Sequence, residues 1–164
     1  MKTLGKLFLF APLFAFLLLS CSSSKEEEPE DVLLKIGDFP ISELAGNWEV
    51  TKAQFSVNTV SVDVVQDGGT AGMTVQSNGR FTLTLDPIDR AAYTMSGEMF
   101  WEKWEGTFYF AIVWDAYPED WDTYGHTWDG TTFTINGGSD TGEYDFDNDG
   151  DAEPCTLHFI FVRP

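Results

Sequence analysis

The stretch that decides the fold is RFTLTLD, at residues 80–86. Phe81, Leu83 and Leu85 alternate with polar residues, so an extended chain places these three side chains on one face and the threonines on the other. Residues 131–136, TTFTIN, repeat the alternation. A period of two is typical of strands with one buried face, and it predicts an all-β domain.

Turn residues separate a series of such stretches. Asn78-Gly79 and Asp129-Gly130 stand between apolar runs, and these dipeptides are strong hairpin signals. Residues 107–114 and 156–162 are apolar on both faces, as in strands that line an apolar interior. No segment past Leu44 shows a helical period. About eight strands are predicted, near residues 46–57, 60–66, 71–76, 80–86, 91–99, 105–114, 131–136 and 155–163.

A meander of this length leaves exposed strand edges unless the sheet closes on itself. We therefore predict an antiparallel up-and-down barrel of about eight strands. The alternative is a two-sheet β-sandwich.

The N-terminus has the pattern of an export signal. Lys2 and Lys6 precede an uncharged run at 7–19, which is shorter than the roughly 20 residues of a membrane-spanning helix and suits a signal peptide. The run ends in LLSC, residues 18–21, which resembles the lipobox of bacterial lipoproteins. The resemblance implies cleavage before Cys21 and acylation of that residue, and acyl chains together anchor a protein stably. The alternative is a plain secretory signal.

An acidic run follows the cysteine. Lys25 and EEEPED, at 26–31, resemble the export tag of Bacteroidetes-type surface lipoproteins, although a solvated spacer has the same composition. We predict a signal peptide at 1–20, an acylated Cys and flexible tether at 21–40, and a barrel domain at 41–164. The expected location is the outer membrane, on the cell surface rather than the periplasmic face.

Composition limits the partners. The chain has 27 acidic against 9 basic residues and a net charge of −18, which disfavours nucleic acid and anionic membrane surfaces and favours cations. Membrane contact is expected through the lipid anchor only, and we expect a monomer. With Cys21 acylated, Cys155 has no cysteine partner, and its apolar strand context predicts a buried, unreactive thiol.

The first predicted strand opens with Gly46-Asn47-Trp48, and the last ends at Arg163. Together with the hairpin series, this Gly-x-Trp resembles the lipocalin-like barrels of bacterial surface lipoproteins. The resemblance implies that Trp48 plugs one barrel end and that Arg163 packs over it in a cation–π contact. The second and third lipocalin motifs are not recognisable, and avidin-like barrels also open with Gly-x-Trp.

An acidic loop, DFDNDGDAE at 145–153, contains the first half of an EF-hand-type calcium loop. Alternate carboxylates converge on one hard cation, which predicts Asp145, Asp147 and Asp149 as Ca²⁺ ligands and a backbone carbonyl from Asp151. The bidentate Glu of the twelfth position is missing, so the loop is not an EF-hand. The alternative is a solvated acidic hairpin tip.

Aromatic and acidic residues crowd the stretch 114–129. Flat aromatic faces beside carboxylates suit sugar binding, which makes Trp114, Trp121 and Trp128 candidate ligand-binding residues. The alternative is an aromatic lid packed over one barrel mouth. No particular acid pair is selected, so glycoside hydrolysis is not supported.

Catalytic motifs are absent from the sequence, and its two histidines have no metal-ligand spacing. We therefore predict no enzyme. The first hypothesis is a non-catalytic barrel that holds a small apolar or amphipathic ligand in its lumen, in keeping with 14 Phe and 6 Trp. The alternatives are a surface carbohydrate-binding or adhesion module that uses the aromatics of 114–128, and a structural accessory lipoprotein.

Overall fold

Ten antiparallel strands and one 3-10 helix make up residues 33–164, the part of the chain that this computed structural model describes. The 3-10 helix spans Ile41–Leu44 and precedes the first strand. The strands are β1 Gly46–Val57, β2 Val60–Asp63, β3 Thr70–Val75, β4 Arg80–Asp86, β5 Tyr93–Trp104, β6 Thr107–Trp114, β7 Asp122–Trp128, β8 Thr132–Asn136, β9 Gly142–Tyr144 and β10 Glu153–Val162.

Eight of these strands form a closed ring. The order is β1-β3-β4-β5-β6-β7-β8-β10, and β10 pairs back with β1. β2 pairs only with β1, and β9 only with β10. The predicted up-and-down barrel of eight strands is therefore confirmed, and the architecture is lipocalin-like rather than a two-sheet sandwich.

A β-bulge in β1 keeps its apolar residues facing inward. The register with β10 shifts between Val50 and Lys52, so Thr51 is the extra residue. Trp48 and Val50 are buried before the bulge, whereas Ala53 and Phe55 are buried after it. Without the bulge, the alternation would turn the second pair toward solvent.

The segment before the 3-10 helix packs on the barrel. The amide of Trp101 donates to the carbonyl of Leu34, and the Trp101 indole donates to the carbonyl of Phe39 at 2.9 Å. A Cβ on Gly37 would lie 2.4 Å from the Trp101 ring, so this close approach requires glycine. The predicted flexible tether at 21–40 is therefore too long: residues 34–40 belong to the folded domain.

Aromatic rings fill the barrel interior near the 3-10 helix. Trp101 is fully buried, and its ring lies 5.0 Å from Phe39, 5.0 Å from His126 and 5.7 Å from Phe110, centroid to centroid. Phe133 lies 5.1 Å from Phe110. Ile41 and Leu44 of the 3-10 helix are also fully buried. This barrel end, which we call the closed end, is filled by side chains.

One predicted strand is shorter than expected, and two strands of the structure, β7 and β9, were not predicted. The strand expected at 60–66 stops at Asp63, because the Asp63 carboxylate accepts the amides of Val65 and Gln66 and turns the chain, and β2 lies outside the ring. β7 completes the ring, although no strand was predicted at 122–128.

Residues 33–164 lie in one compact unit with its own hydrophobic core, which is the requirement for a domain that folds alone. No helix in 33–164 is long and apolar enough to span a membrane. The signal peptide, Cys21 and the remaining tether lie outside the described residues.

Candidate functional site

A cleft of about 530 Å³ opens at the barrel mouth away from the closed end. Strand β7 runs from the cleft to the closed end. Its first residue, Asp122, lines the cleft, and its last residue, Trp128, packs at the closed end. The cleft lies between the β6–β7 loop, the segment 140–143 and the first residues of β5. Its lining residues are Phe55, Thr94, Met95, Ser96, Trp114, Asp115, Ala116, Tyr117, Asp120, Trp121, Asp122, Asp140, Thr141, Gly142, Glu143, Leu157 and Phe159.

The cleft floor is apolar. Phe55 comes from β1, and Leu157 and Phe159 come from the adjoining strand β10. All three side chains are at least 96% buried, with exposed fractions of 1%, 4% and 1%. A ligand that reaches the floor therefore meets the leucine side chain and two phenyl rings, which favours an apolar group at this depth.

Trp114 forms one wall, and hydrogen bonds hold it in place. Its indole donates to the Tyr124 hydroxyl at 3.2 Å, and that hydroxyl donates to the carbonyl of Thr141 at 2.9 Å. Phe81 packs edge-on against the Trp114 ring at 5.3 Å. Tyr124 is buried, and burial raises the pKa of its hydroxyl, which therefore remains a proton donor. These contacts link the Trp114 wall to the facing segment at Thr141.

Two exposed aromatics stand at the rim. Tyr117 is 53% exposed, and its hydroxyl donates to the Glu143 carboxylate at 2.9 Å, a bond between the β6–β7 loop and β9. This hydrogen bond raises the pKa of Tyr117. Trp121 is 36% exposed, packs edge-on against Phe100 at 6.1 Å and donates its indole hydrogen to Glu102 at 3.4 Å. Both rings keep surface available to a ligand.

One cleft carboxylate is neutralised within the chain. Arg80 donates two hydrogen bonds of 2.7 Å to the oxygens of Asp115, and the Ser96 hydroxyl adds a third of 2.6 Å. The Arg80 hydrogen bonds, followed by that of Ser96, lower the pKa of Asp115 to about 2. Asp115 is thus a fixed, paired group.

Asp122 has the opposite environment. Burial, and next the negative charge of Asp120, raise the pKa of Asp122. Among the described residues, no group donates a hydrogen bond to the Asp122 carboxylate. The chain therefore places a partly desolvated acid at the cleft without giving it a partner. This is a costly arrangement that is common at functional sites.

No family model, curated protein or solved structure matches this chain significantly.

The three candidate tryptophans do not share one site. Trp114 and Trp121 line the cleft, but Trp128 packs against Trp48 at 5.6 Å and donates its indole hydrogen to Glu43, at the closed end. Trp128 therefore lies apart from the cleft that Trp114 and Trp121 line. A seven-residue strand of about 3.3 Å per residue separates it from Asp122.

The barrel-motif residues meet at the closed end. The Arg163 guanidinium lies 4.8 Å from the Trp48 ring centroid and 5.4 Å from that of Trp128, and it donates to the carbonyl of Glu43. The contact between Arg163 and Trp48 implied by the lipocalin resemblance is present. Gly46 begins β1 with φ of 135°, a backbone conformation that favours glycine.

The three carboxylates predicted as calcium ligands converge. Asp145, Asp147 and Asp149 each offer a carboxylate oxygen, and these atoms lie within 4.8 Å of one another. The charge of Asp149 is the largest cause that raises the pKa of Asp147. Asp151, predicted to contribute a backbone carbonyl, follows in the same loop, and its amide donates to the Asp149 carboxylate at 2.9 Å. The Asp145 carboxylate accepts the amides of Asp149 and Gly150.

Cys155 is 2% exposed, and burial raises the pKa of its thiol to about 11. A buried thiol that stays protonated is a poor nucleophile, in agreement with the predicted unreactive cysteine. Four residues of the cleft lining were not predicted as site residues: Tyr117, Asp122, Glu143 and Phe159. For the first two, their place in the aromatic and acidic stretch was the available signal.

Proposed function

We propose that this protein is a non-catalytic binding protein that holds a small amphipathic ligand in the cleft at the open barrel mouth. The observation that carries the proposal is a cavity of about 530 Å³ with an apolar floor and an aromatic, acidic rim. Pockets for small organic ligands commonly measure about 300–1,000 Å³ and combine apolar walls with a few polar groups. The ligand occupies the mouth rather than the whole lumen, because aromatic rings fill the closed end.

Native mass spectrometry tests this proposal. Residues 22–164, secreted to a periplasm and purified without detergent, are expected to carry a bound mass that organic solvent releases. Trp121→Ala, which removes a rim aromatic, is expected to reduce the occupied fraction. Trp104→Ala is the matched control, because Trp104 is 62% exposed and does not line the cleft. A protein with no bound mass, and no affinity for added amphiphiles, would contradict the proposal.

The second candidate function is carbohydrate binding at the same rim. Tyr117 and Trp121 are exposed aromatics beside the carboxylates of Glu143 and Glu102, which suits stacking on a sugar ring and hydrogen bonds to its hydroxyls. Affinity electrophoresis in polysaccharide gels tests it. Retardation that Trp121→Ala abolishes at unchanged thermal stability, and that Trp104→Ala preserves, would favour glycans over small amphiphiles.

The lipoprotein assignment is likewise a proposal. Its support is the sequence around Cys21 and the burial of Cys155, which leaves Cys21 as the thiol suited to acylation. Metabolic labelling with an alkyne fatty acid is expected to mark the wild type and Cys155→Ser but not Cys21→Ser. Protease treatment of intact cells then distinguishes surface exposure from the periplasmic face.

A bound Ca²⁺ is proposed as a structural ion of the 145–149 loop. The support is the convergence of three carboxylates within 4.8 Å and the mutual repulsion that the raised pKa of Asp147 reports. Such an ion would stabilise the loop that precedes β10 and would perform no chemistry on a ligand.

A further inference from the structure

We infer that the cleft selects ligands with a positive charge on an apolar or aromatic body, such as substituted amines and quaternary ammonium compounds. This inference rests on the proposed binding function and names its ligand class. Three observations support it. The cleft lining carries acidic but no basic side chains, most of these acids have no ion-pair partner among the described residues, and the apolar groups lie at the floor whereas the acids lie at the rim.

The cleft lining contains five carboxylates and no lysine or arginine. The acids are Asp115, Asp120, Asp122, Asp140 and Glu143. A cavity lined by one sign of charge with low-dielectric walls concentrates its field and attracts ions of the opposite sign. A fatty acid or a phosphate ester would bring a further negative charge to this lining.

Four of the five acids form no ion pair with a basic side chain of the described residues. Arg80 pairs with Asp115, whereas Asp120, Asp122, Asp140 and Glu143 have no ion-pair partner within residues 33–164. Tyr117 donates to Glu143, but a hydroxyl does not cancel the negative charge. The cleft is therefore built with an excess of negative charge that a bound cation would balance.

Among the cleft acids, Asp122 would gain most from a bound cation. Its carboxylate is partly buried beside Asp120 and receives no hydrogen bond from the described chain. The Asp120 carboxylate accepts the amide of Trp121, which holds this second acid in the same loop. An ammonium group at this position would meet the carboxylate of Asp122 at the start of β7, with that of Asp120 two residues earlier in the preceding loop and the Trp121 ring between them in sequence.

The aromatic rim suits the cationic group of such a ligand, and the apolar floor suits its hydrocarbon or aromatic body. A cation over a Trp or Tyr face is attracted by the ring quadrupole, and quaternary ammonium groups are bound well in this way. Trp121 and Tyr117 keep exposed ring surface at the rim, while Phe55 and Phe159 form the floor. The ligand's apolar body thus faces the barrel and its charged group faces the acids.

Isothermal titration calorimetry on residues 22–164 tests the inference. Three probes of equal chain length are used, each below its critical micelle concentration. The probes are decyltrimethylammonium, decyldimethylamine N-oxide, which is neutral overall near neutral pH, and decanoate. We expect the cation to bind about tenfold more tightly than the N-oxide, an advantage in the range of a partly desolvated cation–π contact together with ion pairs. Decanoate is expected not to bind measurably.

The double variant Asp120→Asn/Asp122→Asn locates the selectivity. It is expected to reduce the affinity advantage of the cation over the N-oxide to less than about threefold. Glu49→Gln is the matched control, because Glu49 is an exposed acid of β1 outside the cleft lining. Added salt is expected to weaken only the cation's advantage.

The outcomes separate the two proposals. If the N-oxide or decanoate binds as tightly as the cation, or if the double variant keeps the full preference, the charge selectivity is wrong while ligand binding in the cleft stands. If none of the three probes binds and the purified protein carries no ligand, both the inference and the proposed function are wrong.

Discussion

Replacing Arg163 with methionine is expected to lower the free energy of unfolding by about 2 kcal/mol. The Arg163 guanidinium lies over Trp48 at 4.8 Å and over Trp128 at 5.4 Å, and it donates to the carbonyl of Glu43. Each cation–π contact at an exposed site is worth about 0.5–1 kcal/mol. A hydrogen bond from an exposed charged donor adds about 1 kcal/mol.

Methionine retains the aliphatic stem of arginine, so the change removes the charge and the hydrogen bond but little packing. Arg163→Lys is the intermediate variant. Lysine keeps the charge, but its compact ammonium cannot lie flat against two rings, and we expect it to lose about half as much stability. For a domain of this size, the methionine variant should melt about 6–10 °C lower.

Urea titration followed by tryptophan emission and far-ultraviolet circular dichroism measures this effect, with linear extrapolation to water. Coincident transitions in the two signals are the check for two-state unfolding. If the free energy of unfolding of Arg163→Met lies within about 0.5 kcal/mol of the wild-type value, the guanidinium does not stabilise the closed end. The stability inferred from the ring distances is then refuted.

Three other perturbations address separate parts of the molecule. Asp122→Asn is expected to raise the melting temperature by about 1–3 °C at neutral pH, because ionisation of this partly buried acid opposes folding. The gain should vanish in acid, below the ordinary carboxyl pKa, and a loss of stability at neutral pH would contradict it. Gly37→Ala places a Cβ 2.4 Å from the Trp101 ring and should cost about 1–3 kcal/mol by urea titration, whereas an unchanged midpoint would show that the segment moves away freely. Calcium should raise the melting temperature by several degrees in calorimetry, EDTA should reverse the rise and Asp147→Asn should abolish it; the same melt with and without EDTA would remove the calcium proposal.

Alternating apolar residues made the barrel predictable. In β4, Phe81, Leu83 and Leu85 are buried and the residues between them are exposed or half-buried, as the period of two requires. β7 has the same alternation, but its inward residues are Asp122, Tyr124, His126 and Trp128, which hydropathy does not group as one apolar face. The strand was missed because its buried face is built from side chains that also carry polar atoms.

The cleft was only partly predictable for a related reason. Residues 114–129 were predicted to hold ligand contacts, and seven of them line the cleft. Proximity along the chain, however, does not mean proximity in space once a strand intervenes. Trp121 and Trp128 are carried to different barrel ends by β7. Phe55, Leu157 and Phe159 reach the cleft through pairing between β1 and β10, and the sequence pattern does not specify that pairing.

The pairing of β1 with β10 also determines when the fold can form. Glu49 pairs with Val162 and Phe55 pairs with Leu157, so one edge of the first barrel strand stays unpaired until the last strand is available. A chain that is still being synthesised can form the hairpins between neighbouring strands, yet both outer edges remain open until its final residues emerge. Contacts of such long sequence separation slow folding. A premature stop before β10 would therefore remove the strand on which ring closure depends, and the nascent protein would expose β1 and β8 as sites for aggregation.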